Sequence, residues 1–301
     1  MTFFQNHIGE FFALCTAIFW TATALAFESA SLKVGSLAVN IIRLVMGFLF
    51  LSIFSFLMRG KFFPSDANTY HWLWLSISGL IGFVIGDLFL FKSYTIIGSR
   101  FAMLIMALVP PLAAFFGFII LKERIGYLSY LGMVLTISGI SLAIVSRKDK
   151  NSGFTLKLPI KGILYAFGGA AGQALGLVLS KKGMGTYDAF ASTQIRIVAG
   201  IVGFCILVTL MRRWRKVYDA LFHLKAMQGI AIGSFFGPFL GVSFSLLAVL
   251  HTQTGIASTI MAIVPVLIIA PAVILYKQKV TFYEILGAII SVIGVAFFFI
   301  L

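Results

Sequence analysis

Two charged side chains, Arg43 and Asp87, stand inside long apolar stretches of this chain. Arg43 lies six residues into the second stretch, and Asp87 lies four residues before the end of the third. A helix rises about 1.5 Å per residue, so these positions lie about 9 Å and about 6 Å deep, measured from the same membrane face. A lone charge near the centre of a bilayer costs about 2.5–3.5 kcal/mol or more. We therefore expect the two to pair, either as a fixed ion pair or with Asp87 binding and releasing protons.

A second arginine, Arg196, stands at the position that corresponds to Arg43 in a later, similar part of the chain. There Val242 occupies the place where a counterpart of Asp87 would align. Three interpretations are open for this guanidinium. It extends to the membrane interface, it pairs with Glu10, or it binds a carboxylate of a ligand.

The first apolar stretch carries hydroxyl and aromatic side chains at the spacing of one helical face, from Thr16 to Phe27. The corresponding face 153 residues later is small and carries one amide, Gln173. Such groups around a central cavity suit an amphipathic solute. Close helix packing is the alternative, because small and hydroxyl-bearing residues also let membrane helices approach. The residues predicted to line the cavity are Thr16, Trp20, Thr23, Gln173 and Arg196.

Prolines interrupt the fourth and the ninth apolar stretches, at Pro110 and at Pro265. A proline inside a helix removes a backbone hydrogen bond and kinks or breaks the helix. We predict helix breaks at both positions, which are either bending points or static kinks.

Composition indicates a membrane protein. The chain is 60% hydrophobic and 11% charged, with a mean hydropathy of +1.07, whereas soluble domains are roughly 45–50% apolar and about 25% charged. The net charge of +14 comes mostly from short loops, so we interpret it as a topology signal and as contacts with lipid headgroups rather than as a nucleic-acid surface. The excess of Lys and Arg predicts that residues 147–160 and 212–225 face the cytoplasm.

Ten apolar stretches are each long enough to cross a bilayer as a helix. Backbone groups in lipid must be bonded within their own segment, so we predict an all-α integral membrane fold with ten transmembrane helices. The predicted spans are Gly9–Phe27, Leu37–Met58, Trp72–Phe91, Phe101–Leu121, Tyr127–Val145, Ile163–Leu179, Ala189–Met211, Gly229–Leu250, Ile256–Tyr276 and Phe282–Leu301.

The last five stretches repeat the first five. AVNIIRLVMG from Ala38 resembles ASTQIRIVAG from Ala191, and MALVP ending at Pro110 returns as MAIVP ending at Pro265. We divide the chain into a first repeat (1–146), a linker (147–160) and a second repeat (161–301). Five crossings per repeat force the two halves into opposite orientations, a design common among secondary transporters.

Residue patterns for other chemistry are missing from the sequence. The four histidines lack metal-ligand spacing, no GxxxxGK[ST] loop is present, and Asp87 follows Val-Ile-Gly rather than the GxG of a membrane aspartyl protease. Cys15 and Cys205 lie in apolar stretches, where we expect them to pack. We expect neither an enzyme nor a bound cofactor or metal.

The chain resembles the EamA family of the drug/metabolite transporter superfamily. The most specific resemblance runs from Pro110 through Lys122-Glu123-Arg124 to the Gly132/Gly139 helix, with a second copy from Pro265 in which Gln278 replaces the family's usual Glu. The resemblance implies a permease that moves small organic metabolites, with amino acids as the first expectation and export as the commoner direction. Proton-coupled efflux of drugs or toxic organic compounds is the alternative.

The expected partners are a small-molecule substrate and the lipid bilayer, with no nucleic acid. The small residues Gly233, Gly237 and Gly241 are spaced for close helix contact, within the chain or in a homodimer. A bacterial inner membrane is the expected location.

Overall fold

The computed structural model describes residues 3–146, 159–269, 271 and 281–299. Within those ranges the chain is helical and contains no strand. Seven of its helices are long and apolar enough to cross a membrane, and two shorter apolar helices accompany them. The seven are Ile8–Ser31, Ser36–Arg59, Thr69–Leu90, Ile160–Met184, Ala189–Leu210, Leu224–His251 and Phe282–Phe299, and the shorter two are Val109–Leu121 and Tyr127–Ala143.

The helices are numbered here in chain order, after a short turn of helix at Phe3–Asn6. They are α1 (Ile8–Val34), α2 (Ser36–Arg59), α3 (Thr69–Gly79), α4 (Asp87–Met106), α5 (Val109–Phe116), α6 (Tyr127–Ser146), α7 (Ile160–Met184), α8 (Ala189–Leu210), α9 (Trp214–Leu221), α10 (Leu224–Ser234), α11 (Val242–His251), α12 (Thr254–Met261), α13 (Val264–Leu267) and α14 (Phe282–Ala296).

The predicted ninth span, Ile256–Tyr276, is described only in part. It begins as α12 and α13, and most of the remainder lies outside the described residues. The linker lies outside them as well, apart from residues 159 and 160. The all-helical membrane fold is therefore confirmed, while the count of ten crossings stays a prediction.

Polar residues begin several helices. The Asn68 side chain accepts from the backbone N–H of His71 (2.9 Å), and Asp188 accepts from that of Ala191 (2.8 Å). Thr281 starts α14 with a reciprocal capping box to Glu284. Such caps satisfy backbone donors that have no partner inside the helix, so they fix where α3, α8 and α14 begin.

Several boundaries differ from the predicted spans: α1, for example, continues to Val34 rather than ending at Phe27, and one predicted loop is helical. We predicted a loop between Phe91 and Phe101, but α4 continues without interruption from Asp87 to Met106. Residues 92–100 contain no proline, so each of them can still donate a backbone hydrogen bond within the helix. In the second half, non-helical residues at Thr252 and Gln253 separate α11 from α12.

Three π-helical segments occur among the described residues. One of them, Gly117–Leu121, continues α5, and the other two, called here the first and second π segments, mark the same place in each half. Leu80–Gly86 joins α3 to α4, and Phe235–Gly241 joins α10 to α11. Both ends of the second segment lie 155 residues after those of the first. π-Helical turns inside α-helices are rare and occur frequently at functional sites. The repeat therefore extends to an uncommon backbone geometry.

The first helix of each half packs against the third crossing of the other half. On α1, Thr23 meets α10–α11 at Gly237, where an added Cβ would lie 2.8 Å from Thr23 Cγ2. On α7, Gly176 meets the first π segment, where its added Cβ would lie 2.9 Å from the Cα of Gly82. Small residues permit both approaches. The glycines of α10–α11 are thus used within the chain, and a homodimer stays a prediction.

Helices α2 and α8 run antiparallel across the interface between the halves. Near one end Leu44 lies beside Gly200, and farther along Gln194 Nε2 donates to Ser52 Oγ at 2.8 Å. Arg43 and Arg196 stand at equivalent points of these two helices. The two helices therefore begin at opposite ends of the pair.

Candidate functional site

A buried polar cluster joins the two halves at the end of the first π segment. Arg43 Nη2 donates to Asp87 Oδ2, and Gln173 Nε2 donates to Asp87 Oδ1 at 2.9 Å. The Arg43 guanidinium also lies over the Phe27 ring, 5.5 Å from its centroid. Asp87 is 7% exposed. Both carboxylate oxygens of this buried acid therefore have a charged or polar donor.

Glycines let Gln173 reach this acid. Gly172 of α7 packs on Gly86, where an added Cβ would lie 2.9 Å from the Gly86 Cα. A Cβ on Gly86 itself would lie 3.4 Å from Gln173 Nε2. The same amide also donates to the Gly82 carbonyl at 3.3 Å. Because these glycines have no side chains, α7 lies close enough for the Gln173 amide to donate to Asp87 in the other half.

Arg196 is buried without an acidic partner. It is 5% exposed, and its guanidinium lies over the Phe83 ring, 4.8 Å from the centroid. Among the described residues no carboxylate lies within 4.0 Å of it and no group accepts a hydrogen bond from its side chain. Glu10 instead accepts from Thr252 Oγ1 at 2.8 Å. The described residues thus do not form the Arg196–Glu10 pair, while extension to the membrane interface and binding of a ligand carboxylate both stay predictions.

Arg196 nevertheless lies close to the polar cluster. Its Nη2 atom is 3.5 Å from the point where a Cβ on Gly82 would lie, and Gln173 donates to the carbonyl of that same glycine. The first π segment therefore has Arg196 and Gln173 as neighbours. Both residues come from the second half of the chain.

The structure puts the predicted face of α1 into helix packing. The Thr16 hydroxyl is fully buried and donates to the Phe12 carbonyl at 2.9 Å. Thr23 donates to the Phe19 carbonyl at 2.9 Å and lies against α10. Trp20 keeps some exposure and packs on Gly241. A cavity lined by this face and by Gln173 and Arg196 stays a prediction.

Helix interruptions occur at both predicted proline positions. α4 ends at Met106 and α5 begins at Val109, with Pro110 in its first turn. In the second half the chain is interrupted after Met261 and resumes at Val264, with Pro265 next. Like the π segments, the interruptions are related by an offset of 155 residues. At each interruption one backbone hydrogen bond closes a tight turn. The Leu108 N–H donates to the Ile105 carbonyl at 2.9 Å, and the Ile263 N–H donates to the Ile260 carbonyl at 3.2 Å.

Glu123, which in the sequence is one residue of the Lys-Glu-Arg motif, links three parts of the fold. Its Oε1 accepts from Lys181 Nζ at 2.6 Å, and its Oε2 accepts from the Thr254 N–H (2.9 Å) and Oγ1 (2.6 Å). The carboxylate therefore caps the start of α12 and holds the end of α7. The sequence signal that could have revealed this role is the charged run Lys122-Glu123-Arg124, which directly follows an apolar helix.

A second polar network joins the α2–α3 loop to the α7–α8 loop, on the face of the protein that carries the Glu123 contacts. Tyr187 donates to Asp66 Oδ1 at 2.8 Å and stacks on His71 at 4.8 Å, while Arg59 pairs with Asp66. Desolvation acts to raise the pKa of Asp66, but the Tyr187 hydroxyl and the charges of Arg59 and Lys61 outweigh it and hold that pKa below its usual value. Desolvation raises the pKa of Tyr187.

Two like helical halves that cross one another around a buried polar cluster define a multi-pass membrane transporter. The chain belongs to the EamA-like transporter family, whose pattern matches residues 7–145 and again residues 160–300.

A curated relative and a solved structure are similar to this chain. An "Uncharacterized transporter" of Clostridium kluyveri is 23% identical over 182 residues, which cover 60% of this chain and 56% of that relative. The chain thus spans little more than half the length of this relative. A crystal structure that is 18% identical covers 97% of this chain and 96% of its own, with a TM-score of 0.73, and shows the same fold.

Proposed function

We propose that this protein is a secondary transporter that exports small organic metabolites such as amino acids by alternating access. The observation that carries the proposal is the Asp87 carboxylate, buried between Arg43 of its own half and Gln173 of the other half. Buried ionisable residues in membrane helices mark substrate or ion pathways. A site shared by two crossing halves changes whenever one half moves against the other.

The equivalent π segments and proline interruptions are the bending points in this proposal. They occur at matching positions in the two halves, so each half can open one face in turn. The face that carries the Glu123–Lys181 and Asp66–Tyr187 contacts is held closed here by polar bonds between the halves. Opening it requires those bonds to break, and the bending at the π segments then separates α1 from α10.

In this cycle Gln173 and Trp20 contact the cargo and Arg196 receives its carboxylate. Arg196 suits that role because no acceptor among the described residues uses its guanidinium. Thr16 and Thr23 line the path after α1 moves away from α10. The proposed setting is a bacterial inner membrane, in keeping with the bacterial relative.

A second candidate function is proton-coupled efflux of drugs or toxic organic compounds. The observation that favours it is again Asp87, a carboxylate buried at 7% exposure that has a donor on each oxygen. Protonation of such a group would release Arg43 and change the contact between the halves. The two functions differ in cargo and in their dependence on a proton gradient.

Purified protein in liposomes tests both functions. The liposomes are loaded with a mixture of L-amino acids, and release is followed by mass spectrometry against protein-free liposomes and the Asp87→Asn variant. Amino-acid release above both controls supports the proposal, and release equal to that of protein-free liposomes contradicts it. Release of ethidium driven by a pH gradient, lost in Asp87→Asn, would favour the second function instead.

A further inference from the structure

A basic pocket lies away from the polar cluster, between the α1–α2 connection and the surface helix α9. Its volume is about 510 Å³, within the usual range for small-molecule sites. Its polar lining includes Lys33, Arg213, Lys216 and His223, with Asp219 as its one carboxylate. Three cationic side chains thus face one anionic side chain in a space large enough for a phosphorylated head group.

The charges of this pocket do not neutralise one another. No carboxylate lies within 4.0 Å of Arg213 or Lys216 in the described part of the chain, and Lys33 donates only to Ser29 Oγ at 3.4 Å. The pocket therefore holds excess positive charge with free donors. Guanidinium and ammonium groups in this arrangement favour a phosphate, which accepts several charge-assisted hydrogen bonds.

The neighbouring face of α9 is apolar and exposed. Trp214 (44% exposed), Tyr218 (62%) and, just after the helix, Phe222 (71%) form a stripe beside the pocket. Val217 and Ala220 are buried and fix the helix to the core. Aromatic residues of this kind concentrate at the membrane–water interface. The helix is thus suited to lie at the level of the lipid headgroups, with its apolar stripe toward the acyl chains.

We propose that this pocket binds the head group of an anionic phospholipid, with phosphatidylglycerol as the chemistry that fits best. Arg213, Lys216 and Lys33 take the phosphate, and Asp219 accepts hydrogen bonds from the glycerol hydroxyls. The acyl chains run along Trp214 and Tyr218. The loop-charge prediction that residues 212–225 face the cytoplasm agrees with this, because basic pockets on that side bind anionic head groups. This inference does not depend on the transported substrate.

The test is the unfolding midpoint of the purified protein in detergent with one addition at a time: dioleoyl phosphatidylglycerol, dioleoyl phosphatidylcholine or inorganic phosphate. A ligand that binds only the folded state raises the midpoint by mass action. The double variant Arg213→Gln/Lys216→Gln removes two pocket cations. Its matched control, Arg215→Gln/Lys225→Gln, removes two exposed cations outside the pocket lining.

The proposal expects phosphatidylglycerol to raise the midpoint of the wild type and of the control variant by a few degrees. Phosphatidylcholine and inorganic phosphate should leave the midpoint unchanged. The pocket variant should lose the shift that phosphatidylglycerol causes. The proposal is overturned if phosphatidylglycerol leaves the wild type unchanged, or if the pocket variant keeps the shift. It is also overturned if the control variant loses the shift equally, which would mean that net charge alone matters. A full shift with inorganic phosphate would identify a free-anion site and overturn the lipid assignment.

Discussion

Gln173 donates to Asp87 across the boundary between the two halves of the chain, at 2.9 Å. The amide comes from the first helix of the second half and the acid from the third crossing of the first half. This hydrogen bond and the pair with Arg43 make Asp87 the point at which the two halves share one polar site.

Replacing Gln173 by leucine is expected to destabilise the protein by about 1–3 kcal/mol, because Asp87 Oδ1 then remains buried without its donor. The measurement is the free energy of unfolding in a denaturant titration. Gln228→Leu, at an exposed position of α10, is the matched control and should change little. Equal stability of the two variants would show that the amide is not needed.

Gly176→Ala is expected to push α7 away from the first π segment. The added Cβ would lie 2.9 Å from the Gly82 backbone, which cannot rotate aside, and overpacking of this kind costs about 1–3 kcal/mol. Gly126→Ala is the control, since no atom lies within 4 Å of its added Cβ. Unfolding midpoints of the two variants decide the comparison, and a Gly176 variant as stable as the control contradicts the close crossing.

The apolar stretches, the proline interruptions and the approach of Arg43 to Asp87 were accessible from the sequence, because each depends on spacing along one half. The bond from Gln173 and the position of Arg196 over Phe83 depend on how the halves cross, which no local pattern encodes. The π segments were missed for another reason. Their trace in the sequence is a pair of glycines, Gly82 and Gly86, that recur 155 residues later, together with Pro238 in the second segment.

Because Arg196 has no acidic partner among the described residues, we expect a gain of stability when an acid is supplied. Val242→Asp introduces a carboxylate at the repeat-equivalent of Asp87, and we expect it to be more stable than Val242→Asn by about 1 kcal/mol or more. The comparison is repeated in an Arg196→Gln background, where the difference should vanish. If the stability difference persists without Arg196, or if Val242→Asp and Val242→Asn are equally stable when Arg196 is present, the guanidinium does not bind a carboxylate.

The low pKa of Asp66 predicts a pH-dependent contribution to stability. Because its pKa in the folded state lies below the ordinary value of 3.8, the contribution is present above that value and is lost as pH falls through the folded pKa. Unfolding midpoints of the wild type should therefore fall more steeply with acidification than those of Asp66→Asn. Asp219→Asn removes an exposed acid that has no ion pair within the described ranges, and this variant should retain the wild-type slope. Parallel curves for wild type and Asp66→Asn would contradict the Asp66 network.

The opposed orientation of the two halves is the claim on which the shared site and the transport cycle depend. It is tested by labelling single cysteines with a membrane-impermeant maleimide from one side of sealed vesicles, in a Cys15→Ala/Cys205→Ala background. Ser36→Cys, at the start of α2, and Thr186→Cys, in the loop before α8, are exposed positions that precede Arg43 and Arg196 in the chain. We predict that only one of the two is labelled from a given side and the other only after the vesicles are opened. Labelling of both from the same side would contradict the inverted arrangement.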